Sequence, residues 1–278
     1  MDFYKIKERP GKTRGTVEIY PDFIVGKFSD LMIRGKNVYA VWDEEAGLWS
    51  TSEYDVARLV DKDIYEYNEH RANPLDDRVV LKTMNSFSTS SWDQFKRYIS
   101  RLPDTYHDLD EQITFANTPV TKKDYISRKL PYSMNAGDYN AYEELISTLY
   151  EPEERAKLEW AIGAIISGDA KKIQKFLVLY GDAGSGKSTV LNIIQKLFPG
   201  YYTTFDAKEL TSNNAFATDV FSNNPLVAIQ HDGDLSDIKD NSKLNSIVSH
   251  EDIIVNEKYK EDILQSVIAC YLWQLINL

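Results

Sequence analysis

"FLVLYGDAGSGKSTVLNIIQKLF", residues 176–198, runs from five apolar residues through a loop with three glycines into Lys-Ser-Thr and an amphipathic stretch. Phe176-Leu177-Val178-Leu179-Tyr180 reads as a buried parallel strand. Val190, Ile193, Ile194 and Leu197 recur at helical spacing before Pro199-Gly200 closes the run. Between them, Gly181, Gly186, Lys187 and Ser188 satisfy G-x-x-x-x-G-K-[ST]. Glycine is needed because the backbone must curl tightly enough for successive N–H groups to converge on phosphate oxygens. The nine residues Gly181, Asp182, Ala183, Gly184, Ser185, Gly186, Lys187, Ser188 and Thr189 are therefore the expected phosphate cradle. Lys187 is expected at the β- and γ-phosphates and Ser188 at Mg²⁺, with the positive end of the following helix aimed at the same anion.

A cradle of this kind needs an acidic partner to hold the water shell of the metal and orient an attacking water, at the end of a neighbouring parallel strand. "NPLVAIQHDGDLSDI", residues 224–238, supplies one: Leu226-Val227-Ala228-Ile229 is a buried strand, and Asp232 and Asp234 follow it. Asp232 takes the metal-facing role and Asp234 a supporting or water-orienting one. Asp-Gly is also a strong turn dipeptide, and the strand before it is what favours the functional reading.

The chain has 278 residues, 42% of them hydrophobic, enough for one large or two ordinary domains. Its only cysteine, Cys270, permits no internal disulfide, so a reducing cytoplasmic compartment is expected. The charged N-terminus does not read as a signal peptide and no apolar run approaches a membrane span, so no membrane partner is expected. The net charge of −11 argues against a general basic coat for nucleic acid and leaves room for a local basic element.

The periodicity changes along the chain. Residues 16–50 read as short strands with turns, 52–68 and 77–101 as helices, and 112–120 as strand-like. "NAYEELISTLY" and "EPEERAKLEWAIGAIISGD" follow as helices. In the second, Leu158, Ile162, Ile165 and Ile166 lie on one face and Gly168-Asp169 makes a stop. The expected organisation is an α+β domain over 1–135, a helical collar over 136–172 and a nucleotide-binding core over 173–278. The expected fold is α/β: a P-loop parallel sheet with helices on both faces, preceded by the small α+β domain and the collar.

Several P-loop classes are disfavoured. The base-reading motif of GTPases is absent downstream of the loop, since "TKKD" at 121–124 lies upstream of it. No ABC-type signature follows the loop. A metabolite kinase closes an arginine-bearing lid over its phosphates, yet no arginine follows Arg155. That absence also weakens a hydrolytic reading, because an arginine commonly meets the charge of the phosphoryl transition state.

"KLNSIVSHEDIIVNEKYKEDI", residues 243–263, places Ile253-Ile254-Val255 as a strand leading into a hairpin tip with Lys258, Tyr259 and Lys260. Two cations flanking an aromatic ring suit a loop that tracks single-stranded DNA, although the same tripeptide in isolation also reads as a solvated turn.

The order of "GDAGSGKST", "HDGD" and "LNSIVSHEDIIVNEKYK" resembles motifs A, B and B-prime of superfamily 3 helicases, of the phage, plasmid and poxvirus primase-helicase type. The resemblance covers roughly residues 110–263. It implies an AAA+-like core that assembles into a ring, usually a hexamer, with ATP between subunits and single-stranded DNA gripped in the channel. Primase or replication-origin proteins are the further partners it implies, and a bacterial host cytoplasm the setting if the gene is phage-borne. Carried over, Gly186, Lys187, Ser188 and Thr189 bind ATP and Mg²⁺, Asp232 and Asp234 form the acidic site, and Lys258 and Lys260 contact DNA.

Two features depart from the family. His231 precedes a split Asp-Gly-Asp where adjacent acidic residues or a glutamate are usual. At the other end the family continues to a sensor asparagine, an arginine finger and a closing helical region, whereas here "CYLWQLINL" offers Asn277 as sensor by spacing alone. Suitable codons for the last eight residues, read in a shifted frame, can encode Phe-Met-Ala-Thr-Asn-Lys-Pro, which looks like the sensor motif. The expectation is an incomplete core whose C-terminus arises by frameshift in a longer gene. A nucleotide-binding interaction or loader module with little hydrolysis is the alternative function.

Overall fold

The computed structural model describes the chain except for residues 73–77, 85–89, 110–112, 183, 211–216, 222–224, 232–240, 256–262, 267–270 and 277–278. The fold is mixed α/β with several small sheets, in two compact units: residues 1–109 with 119–127, and residues 110–118 with 128–278.

In the first unit, β1 (Tyr4–Pro10) and β2 (Val17–Phe23) pair antiparallel, with Tyr4 opposite Phe23. Strands β3 (Leu31–Arg34), β4 (Asn37–Asp43) and β5 (Leu48–Ser50) form an antiparallel meander. Helix α1 (Glu53–Glu69) turns Val56, Leu59, Val60 and Ile64 inward at the 3–4 residue spacing of one helical face. Strand β6 (Val79–Leu81) then pairs parallel with β2, and α2 (Ser90–Ile99) adds Trp92, Phe95 and Ile99 to the same core. The expected helix over 77–101 is thus a strand and a shorter helix. Val79-Val80-Leu81 is too brief an apolar run for periodicity to separate the two states. Phe3, fully buried, packs among the rings of Tyr4, Phe23, Phe28 and Phe95. Burial of one such side chain contributes about 1.5–3 kcal/mol.

In the second unit, β7 (Ile113–Phe115) and β8 (Arg128–Leu130) form a parallel pair. Helices α3 (Asn140–Leu149) and α4 (Pro152–Ile166), expected as a collar, belong to this unit. Pro152 opens α4, where a missing N–H goes unnoticed. Leu158, Ala161, Ala164 and Ile165 form its buried stripe. Arg155 pins the two helices together: its Nη1 and Nη2 donate to the Glu143 carboxylate at 2.5 and 2.7 Å, and its Nε to Glu159 at 2.7 Å.

After the short α5 (Ala170–Ile173), strand β9 (Leu177–Tyr180) enters a four-stranded parallel sheet. The others are β10 (Tyr202–Thr204), β11 (Val227–Gln230) and, after three further elements, β14 (Tyr271–Ile276). Helix α6 (Lys187–Leu197) follows β9, and α7 (Ala207–Leu210) follows β10. Helix α8 (Ser242–Val248) leads to an antiparallel pair, β12 (Asp252–Val255) with β13 (Ile263–Ser266).

Two expectations change here. The spatial order is β10, β11, β14, β9, so the strand before the acidic motif is parallel to the P-loop strand but not its neighbour, because β14 lies between them. Strand β9 also stands at one end of that order, which is why only Leu179 of its four residues is buried and Tyr180 is 64% exposed. Strand β11 is the fully buried one. Val227 and Ile229 pack with Val190, Leu191 and Ile194 of α6, whereas Ala228 packs with Leu210 of α7 and Leu244 and Ile247 of α8. Alternation with period two therefore puts helices against both faces at β11.

Candidate nucleotide site

The chain turns from β9 to α6 by visiting the left-handed backbone region three times, at Gly181 (φ 147°), Gly184 (φ 83°) and Gly186 (φ 81°). For Gly186 the requirement is double. A Cβ built there would lie 2.4 Å from Leu149 Cδ2, 2.9 Å from Cδ1 and 3.2 Å from Cγ, so the end of α3 presses on the loop. That contact was not legible in the sequence, where Leu149 shows only as the last apolar residue of a helical stripe.

Gly186 is the N-cap of α6, and Val190 N–H is the first amide of that helix to find an acceptor, on Gly186 O at 3.1 Å. The amides of Lys187, Ser188 and Thr189 precede it and have no acceptor within the helix, as at any helix start. The Ser188 and Thr189 side chains are exposed beside them.

Lys187 is the unusual member of the set, a lysine only 5% exposed. Its ammonium donates to Gly181 O at 2.7 Å, Asp182 O at 2.6 Å and Ser185 Oγ at 3.2 Å, one acceptor for each of its protons. A buried cation held by neutral acceptors alone keeps most of its positive field. The donor set therefore fits a polyphosphate: one lysine, a helix start with three amides ahead of its first internal bond, and hydroxyls at Ser188 and Thr189 with the hard-oxygen character that suits Mg²⁺.

Because the sheet is parallel, every strand delivers its next residues to the same edge, where open α/β sheets place their ligands. In register, Ile276 lies opposite Tyr180, and Gln230 lies in the row of Gln274 and Val178. The loop after β9 and His231 leave the sheet on that common edge, where β14 also ends. His231 Nε2 is 3.3 Å from the Gln195 amide nitrogen, which donates when Nε2 is the unprotonated ring nitrogen. By sequence His231 belongs to the acidic motif, and its partner on α6 is legible only in the structure. The buried Gln230 caps the next connection by accepting from Ala207 N–H at 3.2 Å.

Ala183, Asp232, Asp234, Lys258, Tyr259, Lys260 and Asn277 lie outside the described residues. Their flanks are described: β11 ends one residue before His231, β14 ends at the residue before Asn277, and Val255 opposite Ile263 makes 256–262 the connection of an antiparallel pair. Among the described residues no three His, Cys, Asp or Glu side chains gather as a metal cluster, and no helix is long and apolar enough to cross a membrane.

Residues 179–273 match the model of a family described as of unknown function (DUF5906). No curated protein matches the chain. Among solved structures, the chain is similar to the apo A form of the NrS-1 C-terminal region, at 16% identity, a TM-score of 0.40, and 50% of this chain and 33% of that one covered. A second structure of that region, the A form of residues 305–718, gives 15% identity, a TM-score of 0.39 and coverages of 50% and 32%. The chain spans about a third of the length of these solved chains.

Proposed function

We propose that the chain is the ATPase core of a DNA helicase of superfamily 3 type, binding MgATP at the loop 181–189 and single-stranded DNA through the connection 256–262. The observation that carries this reading is the buried Lys187 ammonium at the head of α6, inside a loop with three positive-φ glycines. Lys187 would exchange the carbonyls of Gly181 and Asp182 for β- and γ-phosphate oxygens. Amides at the start of α6 would hold the remaining oxygens, and Ser188 would ligate the metal. Bound MgATP would supply the electrophilic γ-phosphoryl group, and these donors would stabilise the negative charge on its oxygens.

The acidic role falls to Asp232, with Asp234 supporting it. A residue leaving β11 starts two strand spacings from β9, about 9–10 Å, a span suited to phosphate and a hydrated metal rather than to direct contact with the loop. His231, tied to Gln195 on α6, would orient that segment.

The test is steady-state ATPase with Mg²⁺, with and without single-stranded DNA, alongside Lys187→Ala. DNA-stimulated turnover abolished by Lys187→Ala supports the motor. No Mg²⁺-dependent binding of ATP by calorimetry ends the reading. A second reading, a nucleotide-binding module without turnover, is favoured by one observation: Arg155, the arginine nearest the loop in sequence, is committed to Glu143 and Glu159. ATP binding with no turnover in the presence of DNA would select it. A ring of this chain would show as a nucleotide-dependent shift on a sizing column.

A further inference from the structure

The first unit carries an aromatic and cationic surface that the nucleotide reading does not use. At the β3–β4 turn, Gly35 and Lys36 are both left-handed (φ 57° and 70°), which is the twist a two-residue hairpin needs. The ladder then slips: Met32 pairs with Ala40 but Ile33 with Val38, leaving Tyr39 as the extra residue of a bulge. Bulges re-aim a side chain. Here the Tyr39 ring stands edge-on to Tyr106, with centroids 5.7 Å apart. The Arg34 guanidinium lies over both rings, at 4.9 Å from Tyr106 and 5.4 Å from Tyr39.

The segment bearing Tyr106 is fixed along β3. Thr105 and Tyr106 N–H both donate to Ile33 O, Ile33 N–H donates to Thr105 Oγ1, and Gly35 N–H donates to Asp104 Oδ2. The next residue makes a second stack, with the His107 ring 3.8 Å from Tyr125 and nearly parallel to it. Tyr125 holds φ 52°, an uncommon conformation for a bulky residue, and such outliers persist where the surroundings enforce them.

Tyr106 is 43% exposed, and Arg34, Lys36 and His107 are exposed. A core role explains none of these four. Of the acidic neighbours, Asp104 is held to the turn by the Gly35 amide.

We propose that this surface, Arg34 on Tyr106 and His107 on Tyr125 with Lys36 at the turn, binds single-stranded nucleic acid by stacking bases on the outer faces of the guanidinium and imidazole. Two preformed π stacks on consecutive residues, bordered by cations, provide base-stacking platforms and phosphate contacts without sequence readout. A double helix, whose bases are already stacked, offers those faces nothing.

The test uses the full chain without nucleotide, so that failure of ATP binding cannot masquerade as failure here. Fluorescence anisotropy with a labelled oligothymidylate should show Tyr106→Ala and Arg34→Ala each weakening binding by about tenfold. Tyr65→Ala, an exposed ring on α1, should leave it unchanged, and Lys36→Ala should lower the slope of log affinity against log salt by about 0.7. Lys258→Ala/Lys260→Ala separates the proposed hairpin contact from this one. An oligoribonucleotide arm tells RNA from DNA, and polyglutamate tells an acidic-peptide surface from a nucleic-acid one. If Tyr106→Ala proves unstable, iododeoxyuridine crosslinking of the unaltered protein gives the same answer, with adducts expected within residues 102–122. Wild-type affinity in both Tyr106→Ala and Arg34→Ala, equal binding of an abasic strand, displacement by polyglutamate as effective as by oligonucleotide, or crosslinks confined to 256–262 would each overturn the proposal.

Discussion

Gly186→Ala tests whether the loop is held by its backbone or by what leans on it. The substitution forces a side chain into φ 81°, which disfavours the fold by about 1–2 kcal/mol. It also drives a methyl against Leu149, and turning Leu149 about χ2 moves its two methyl groups but not Cγ, still 3.2 Å away. Overpacking of that kind destabilises by about 1–3 kcal/mol, giving roughly 2–5 kcal/mol in all. Gly184→Ala is an internal control. Its φ is 83°, but a Cβ there meets nothing within 4 Å, so only the conformational part of about 1–2 kcal/mol applies. Two units make a single melting temperature ill-defined, so the measurement is native-state hydrogen exchange of α6 amides from Val190 onward. Leu149→Ala should recover the excess in the double mutant, a coupling of about 1–3 kcal/mol. Equal destabilisation by Gly184→Ala and Gly186→Ala, or zero coupling to Leu149, would refute the claim that α3 shapes the cradle.

Burial pushes the Asp43 carboxyl up, but the amides of Ala46 and Glu45 and the Arg58 guanidinium outweigh it and hold it below its ordinary 3.8. A depressed folded value stabilises above pH 3.8 and the gain is lost as pH falls through it. Urea midpoints of the first unit should therefore drop on acidification below about pH 4, and Asp43→Asn should flatten that limb. The Tyr142 phenol is pushed from 10.0 up to about 12, by burial first and then by its bond to Glu159. Its neutral form is favoured in the fold, so that contribution is complete below pH 10 and disappears by about pH 12. Tyr142→Phe should reduce the alkaline loss without abolishing it, since burial also raises the Tyr4, Tyr132 and Tyr150 phenols, as read by circular dichroism. Among the described residues β14 is the only ladder partner of β9, so ending the chain at Cys270 should leave Leu177–Tyr180 unpaired. Exchange protection of β9 should then vanish while that of α1 stays.

What periodicity could reveal was local. The strand, loop and helix of 176–198, the buried strand before His231 and the inward face of α4 were legible, because each is written within one or two turns of its own chain. The strand at Val79–Leu81 was not, since only its pairing with Val17–Ile19 distinguishes it from a helical turn. The exposure of Tyr180 was hidden too. An apolar run carries no mark of whether it will stand inside a sheet or at its end. The sequence named Lys187 and the glycines, but not Leu149 behind Gly186 or Gln195 beside His231, because these meet across elements whose packing no spacing rule encodes.

The same division governs how the site forms. Trp273 stands opposite Leu177, so the P-loop strand finds its partner nearly a hundred residues later. Closing that loop in chain entropy precedes any return from the pairing, and a parallel ladder cannot be made by a hairpin shortcut. Between β9 and β14 in the chain lie α6, β10 and β11, and Val190, Leu191 and Ile194 of α6 share an apolar cluster with Val227 and Ile229 of β11. That cluster holds α6 against β11, and with it the start of the helix at Lys187. Strand β14 lies between β11 and β9, parallel to both, and sets their separation. The proposed nucleotide site would thus be written locally in the loop residues and non-locally in the spacing between that loop and the segment after β11. A substitution in β14 would reach both, through its ladders to β9 and to β11.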